Sequence, residues 1–228
     1  MEMVSTMDSG AGAPDLQGLS RAEYATRVLR DRLIVLEIAP GSPIHDEAIG
    51  RELGIGRTPV REALKRLESE HLVTMFPRRG TFASQVHISD LAEITEIRLR
   101  LEPLAASRAA RFATQSDRER MAAFADELEG TEPETMSMRR AMRADLRAHR
   151  LVYAANGNAF LEEDLIKYDN LATRIWCLVA ERLPSIGESV KEHTRLLRLV
   201  GSGEAERAAE DTYEHVLDFE RQMRSVLG

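Results

Sequence analysis

Gly54-Ile55-Gly56-Arg57-Thr58-Pro59-Val60-Arg61-Glu62-Ala63-Leu64-Lys65-Arg66-Leu67 is the stretch that decides the fold of this chain. From Arg57 or Thr58 to about His71 it reads as a helix, with Pro59 in the first turn, where its missing N–H breaks no hydrogen bond. Val60, Ala63, Leu64 and Leu67 form one apolar stripe. Arg57, Arg61 and Lys65, four residues apart, line another face, with Thr58 near the start. Upstream, only Ile55-Gly56 lies between this helix and a short one over residues 46–53 that Gly54 closes. Two short helices joined by a glycine turn form a helix-turn-helix. Its second helix has an apolar back to fix its angle and cations to reach phosphates and base edges.

Farther out, Arg21 to about Leu36 reads as another helix, ended by Ala39-Pro40-Gly41-Ser42. Residues 72–76 and 81–84 are strand-like, and Pro77-Arg78-Arg79-Gly80 turns between them. A hairpin with two arginines at its tip makes a basic wing for a phosphate backbone or minor groove.

Charge follows the same partition. The 228 residues carry a net charge of −7. Residues 1–18 contribute −3 and read as a disordered tail, without the cations of a signal or transit peptide. Residues 19–86 hold 11 basic and 9 acidic side chains, a net of +2, and residues 87–228 hold the remaining −6. Total acidity therefore does not argue against a nucleic-acid partner for the small module. The single cysteine, Cys177, excludes an intramolecular disulfide framework and a multi-cysteine zinc site. With no apolar run long enough for a membrane helix, it predicts a cytoplasmic protein.

Residues 87–228 read as helix throughout, in six segments near 89–112, 116–129, 135–155, 159–183, 186–200 and 204–226. The predicted fold is mostly α: an N-terminal winged helix-turn-helix with a small β-hairpin wing, then an all-α six-helix bundle. Three of the apolar stripes are interrupted by ionisable groups: Asp145 and His149 on the third helix, His193 on the fifth, His215 on the sixth. Buried alone, each polar group costs about 1–3 kcal/mol. Convergence on one divalent ion removes that cost. Three imidazoles and a carboxylate suit Zn²⁺ best, with Mn²⁺ or Ni²⁺ as alternatives. His45, His71 and His87 show no such pattern. Arg98, on the edge of its own stripe, either enters the same cavity or pairs with Glu102 at the surface.

These motifs resemble two linked modules. Ala39-Pro40-Gly41, Glu47, the run from Leu53 to Leu64, and Pro77-Arg78-Arg79-Gly80 resemble the winged helix of GntR-type bacterial regulators. Gly50, Gly56 and His71 depart from that pattern. Ile97 to Glu102, Asp145-x3-His149, Asn156-Gly157-Asn158, Glu192-His193 and His215 resemble the FCD domain of the FadR subfamily, in the shorter, VanR-like form with six helices. The resemblance implies DNA contacts by Arg57, Thr58, Arg61, Arg79 and Gly80, to which the pattern of charges adds Lys65 and Arg78. It implies a metal held by Asp145, His149, His193 and His215, with a small carboxylate effector beside it. The expected protein is a homodimeric transcriptional repressor on pseudo-palindromic double-stranded DNA. A purely structural metal and a metal-dependent hydrolase are the rival readings.

Overall fold

The computed structural model describes residues 18–132, 136–182 and 186–227. Nearly all of the tail expected over 1–18, and the breaks at Pro133 and Pro184-Ser185, lie outside these. Ser20 opens α1 (Arg21–Ile34) with a capping box, its hydroxyl accepting from Glu23 N while Glu23 accepts from Ser20 N. The buried line of α1 is Ala22, Ala25, Thr26, Leu29, Leu33 and Ile34. Next come β1 (Pro43–Ile44), α2 (Asp46–Glu52), α3 (Arg57–Ser69), β2 (Val73–Phe76) and β3 (Gly80–Ala83). The sheet order is β1-β3-β2, antiparallel throughout, with Phe76 opposite Gly80 and Pro43 opposite Phe82.

The helix-turn-helix corner is built on close approach. A Cβ on Gly50 would stand 2.9 Å from the Ile55 carbonyl, so α2 and the turn could not meet as they do. Val60, Ala63, Leu64 and Leu67 of α3 are buried, as the stripe requires. His71 takes φ +59° just past the end of α3, a left-handed position that favours glycine. Burial and nearby Lys167 lower its pKa, which disfavours a helix-capping imidazolium.

The second module comprises α4 (Asp90–Phe112), α5 (Gln115–Glu129), α6 (Met138–Ala155), α7 (Ala159–Val179), α8 (Ile186–Ser202) and α9 (Ala205–Leu227). A 3₁₀ turn over Ala180–Arg182 extends α7. Among the described residues these six helices match the six segments read from the sequence. Along its length α4 packs on α9, and α5 packs on α8. Their core runs from Leu91 and Ile94 through Phe124, Met142 and Trp176 to Met223. A second core lies under α1, α3 and the sheet, and takes in Leu146 from α6. The two modules therefore share an apolar seam.

Candidate functional site

On α3 the side chains of Arg57, Thr58, Arg61 and Lys65 are all exposed, opposite the buried stripe. Two of them are held from α2: Arg57 Nη2 donates to Asp46 Oδ1 at 3.2 Å, and Arg61 Nε lies 4.0 Å from Asp46 Oδ2. Both guanidiniums remain more than three-fifths exposed, so the carboxylate aims them without covering them. At the wing, Arg78 and Gly80 adopt positive φ of 64° and 97°. Arg79 lies 5.4 Å above the Phe76 ring, and Phe76 meets Phe82 edge-on at 5.8 Å. This stacking stiffens the tip while its cations stay in solvent.

In the helical module the four polar interruptions do converge. His149 Nε2 and His193 Nε2 face each other at 3.1 Å, and Asp145 Oδ1 lies 3.4 Å from His193 Nε2 and 3.9 Å from His149 Nε2. Ring nitrogens of His149, His193 and His215 all fall within 4.8 Å of one another. The His193 and His215 rings are 4.5 Å apart, near perpendicular. Asp145, His149 and His193 are buried and His215 is half-buried. Burial foremost, then the neighbouring His193 and Arg98, lower the pKa of His149 and His215 well below the usual imidazole value, so both are neutral at pH 7. Asp145 is pushed the other way by burial and by Asp169, a cost that a cation would relieve. The 3.1–3.9 Å separations among Asp145, His149 and His193 fit donors that would each stand about 2.0–2.1 Å from one ion.

A second layer orients the first. Tyr153 Oη lies 3.2 Å from His149 Nδ1, and Glu102 Oε2 lies 3.7 Å from the same nitrogen. Glu102 in turn pairs with Arg98, whose guanidinium stands 5.3 Å over the Phe219 ring. Arg98 is 3% exposed. It does pair with Glu102, yet that pair is buried beside the histidines instead of lying on the surface. Asp169 and the role of Tyr153 escaped the sequence reading, and Glu102 entered it only as a surface partner of Arg98. Asp169 was within reach of it, because Leu165, Asp169 and Thr173 repeat at i, i+4 on α7 in the same polar-in-apolar way. Burial pushes its carboxyl up to about 7, against the opposing pull of Arg98 and Arg150.

Beside His193 and His215 a groove of about 570 Å³ opens between α8 and α9. Glu192, Glu214 and Asp218 line it together with Lys191 and Arg195. This opening reaches His193 and His215 from solvent.

Comparison with known proteins identifies the family. Residues 93–218 match the FCD domain, and residues 22–83 match the family described as bacterial regulatory proteins, gntR family. The chain belongs to the GntR family of FCD-domain type. A probable D-xylose utilization operon transcriptional repressor of Paenarthrobacter nicotinovorans is 29% identical over 208 residues, 88% of this chain and 89% of that one. The HTH-type transcriptional repressor RspR of Escherichia coli K12 is 31% identical over 90 residues, 40% of each chain. This chain spans only 31% to 53% of the first curated relatives that it matches. The solved structure of E. coli McbR/YncC superposes with a TM-score of 0.78 at 20% identity, covering 92% of this chain and all of that one, a likeness of fold. The family and these relatives are regulators, which removes the hydrolase reading. Among the described residues, no helix of this GntR protein is long and apolar enough to cross a membrane.

Proposed function

We propose that this GntR-family protein is a homodimeric, cytoplasmic transcriptional repressor. Its affinity for a pseudo-palindromic operator answers to a small carboxylate bound at a divalent metal in the helical module. The observation that carries the reading is the convergence of His149, His193 and His215, from three helices, on one buried point beside Asp145. A winged helix with exposed Arg57, Arg61 and Arg79 precedes it in the same chain.

In this reading α3 enters a major groove, with Arg57, Thr58, Arg61 and Lys65 towards bases and phosphates, and Arg78, Arg79 and Gly80 meet the adjoining backbone. Asp145, His149, His193 and His215 hold the ion, Zn²⁺ by their donor chemistry. When bound, it supplies a Lewis-acidic position for a carboxylate oxygen. Arg98 fixes Glu102 and adds positive charge to the same cavity. The effector must bind the free and operator-bound arrangements unequally, since otherwise it shifts nothing.

The test has two stages. Random double-stranded DNA selected against the purified protein returns a pseudo-palindrome, and elemental analysis returns one divalent ion per chain. Organic acids screened by calorimetry on metal-loaded and chelator-stripped protein then bind only to the loaded form, and release the selected DNA. Selection of no common sequence refutes the DNA assignment. Ligand binding that survives stripping assigns the metal a structural role alone.

A further inference from the structure

The helical module is acidic overall, yet one face of α6 is cationic. Arg143, Arg147 and Arg150 follow one another at i, i+4 and i+7, and across a cleft they meet Arg27, Arg30 and Arg66 of the winged helix. The cleft has a volume of about 740 Å³. Seven arginines and three carboxylates line it, over an apolar floor that includes Val35, Leu146 and Leu151. Some of these cations are already engaged: Arg30 is bidentate with Glu70, and Arg147 binds Glu127 at 2.8 Å. Arg27, Arg66 and Arg143 have no ion-pair partner within 4.0 Å among the described residues, although Glu23 acts on Arg66 from farther off. Of the three carboxylates, Asp31 is within electrostatic reach of Arg27, Arg30, Arg143 and Arg150. At the base, Arg150 donates to Asn170, while its buried Nε has no hydrogen-bond partner and stands 3.9 Å from Asp169 Oδ2.

We propose that this interdomain cleft is a second ligand site, separate from the histidine cluster, for a small, multiply charged anion bearing phosphate or carboxylate groups. Guanidinium forks pair with such oxygens two at a time, and the apolar floor strengthens the attraction by excluding water. Cations supplied from both sides repel each other across the gap, and an anion between them turns that repulsion into a clamp. Bound there, it fixes how the winged helix sits on the helical module. Arg57, Thr58 and Arg61 lie in the first half of α3, and Arg66, next to Lys65, in its last turns; of the DNA-facing line only Lys65 adjoins a cleft residue, and it does not line the cleft.

Calorimetry with fructose bisphosphate as the probe, and inorganic phosphate as the weaker comparison, tests the site on the full-length chain. Wild-type protein binds one bisphosphate per chain. Arg27→Ala and Arg143→Ala each weaken binding by about tenfold, the loss of one charged contact. Neither side chain has an ion-pair partner within 4.0 Å among the described residues, and a melting temperature close to that of the wild type checks that the fold is kept. Binding persists in His149→Ala and in Arg57→Ala. Absence of binding in the wild type overturns the proposal, as does undiminished binding in both cleft variants. Loss in His149→Ala would move the anion to the histidine cluster, and loss in Arg57→Ala to the DNA-facing surface, and either result refutes the cleft.

Discussion

Arg174, on α7, donates from Nη2 to the backbone carbonyl of Ser84 at 2.7 Å. Ser84 directly follows β3, so a buried guanidinium of the helical module holds the base of the wing. Burial pulls the Arg174 pKa down to about 10. Its buried Nε has no hydrogen-bond partner. The same helix carries Asp169 and Asn170, which face Arg150 at the base of the cleft. One helix therefore touches the wing, the interdomain cleft and the edge of the histidine cluster.

Replacing Arg174 with Met keeps the apolar stem and removes the donor. Stability falls by about 1–3 kcal/mol, because the Ser84 carbonyl loses a charged partner. The checking measurement is thermal unfolding combined with amide exchange, with exchange rising across residues 80–86 and unchanged in α5. A uniform rise throughout the chain would mean that Arg174 serves global stability and not the seating of the wing.

Tyr153 reaches the nitrogen of His149 that faces away from His193. An outer partner of this kind sets the tautomer and ring orientation of a ligating imidazole. Tyr153→Phe weakens divalent-metal affinity by about 10–100-fold, measured by competition with a chelating dye. Paired replacement of His149 and His193 by Ala removes the metal altogether. A fully loaded double variant would refute the site.

The helices, their order and the convergence of Asp145 with three histidines were legible because each leaves a local periodic trace. A polar residue at i, i+4 within an apolar stripe announces a buried partner even when the partner is unknown. Other features leave no such trace. Pro43–Ile44 is a two-residue strand fixed by its pairing with Thr81 and Phe82 on β3, which no window of local sequence encodes. Asp46 holds Arg57 across 11 residues of chain, a contact set by the closing of the corner at Gly50. The basic cleft joins α1 to α6, more than 100 residues apart in the chain, and vanishes in a domain-by-domain sum of charge. Arg98 stayed ambiguous because pairing with Glu102 and burial in the cavity share one spacing, and the structure satisfies both at once.

Cys177 lies against the core with its thiol pushed up to about 12 by burial, assisted by Asp145 and opposed by Arg174. A raised thiol pKa stabilises the fold below the unfolded value of about 9, and that contribution is lost as pH climbs from there towards 12. Iodoacetamide labelling at pH 8 is therefore slower in the native protein than in guanidinium by about two orders of magnitude or more. Mass spectrometry of timed aliquots reads the ratio. Equal rates would show that Cys177 is open to solvent.

Asp46 meets both Arg57 and Arg61, and this bears directly on how the protein separates specific from non-specific DNA. The winged helix carries a net charge of only +2, so non-specific attraction is modest and specificity depends on a few aimed groups. Arg61→Ala removes one of them and costs about 1–3 kcal/mol of affinity for the selected operator. Lys65→Ala, at the far end of the same line, lowers the slope of log affinity against log salt by about 0.9 if it meets a phosphate. Asp46→Asn keeps the shape and removes one negative charge from the face proposed to meet DNA. Affinity for random DNA then rises while the ratio of operator to random binding falls, because the two guanidiniums lose the carboxylate that aims them. Fluorescence anisotropy on both duplexes at two salt concentrations separates the terms. A ratio unchanged by Asp46→Asn would mean that the arginines are aimed by the DNA itself.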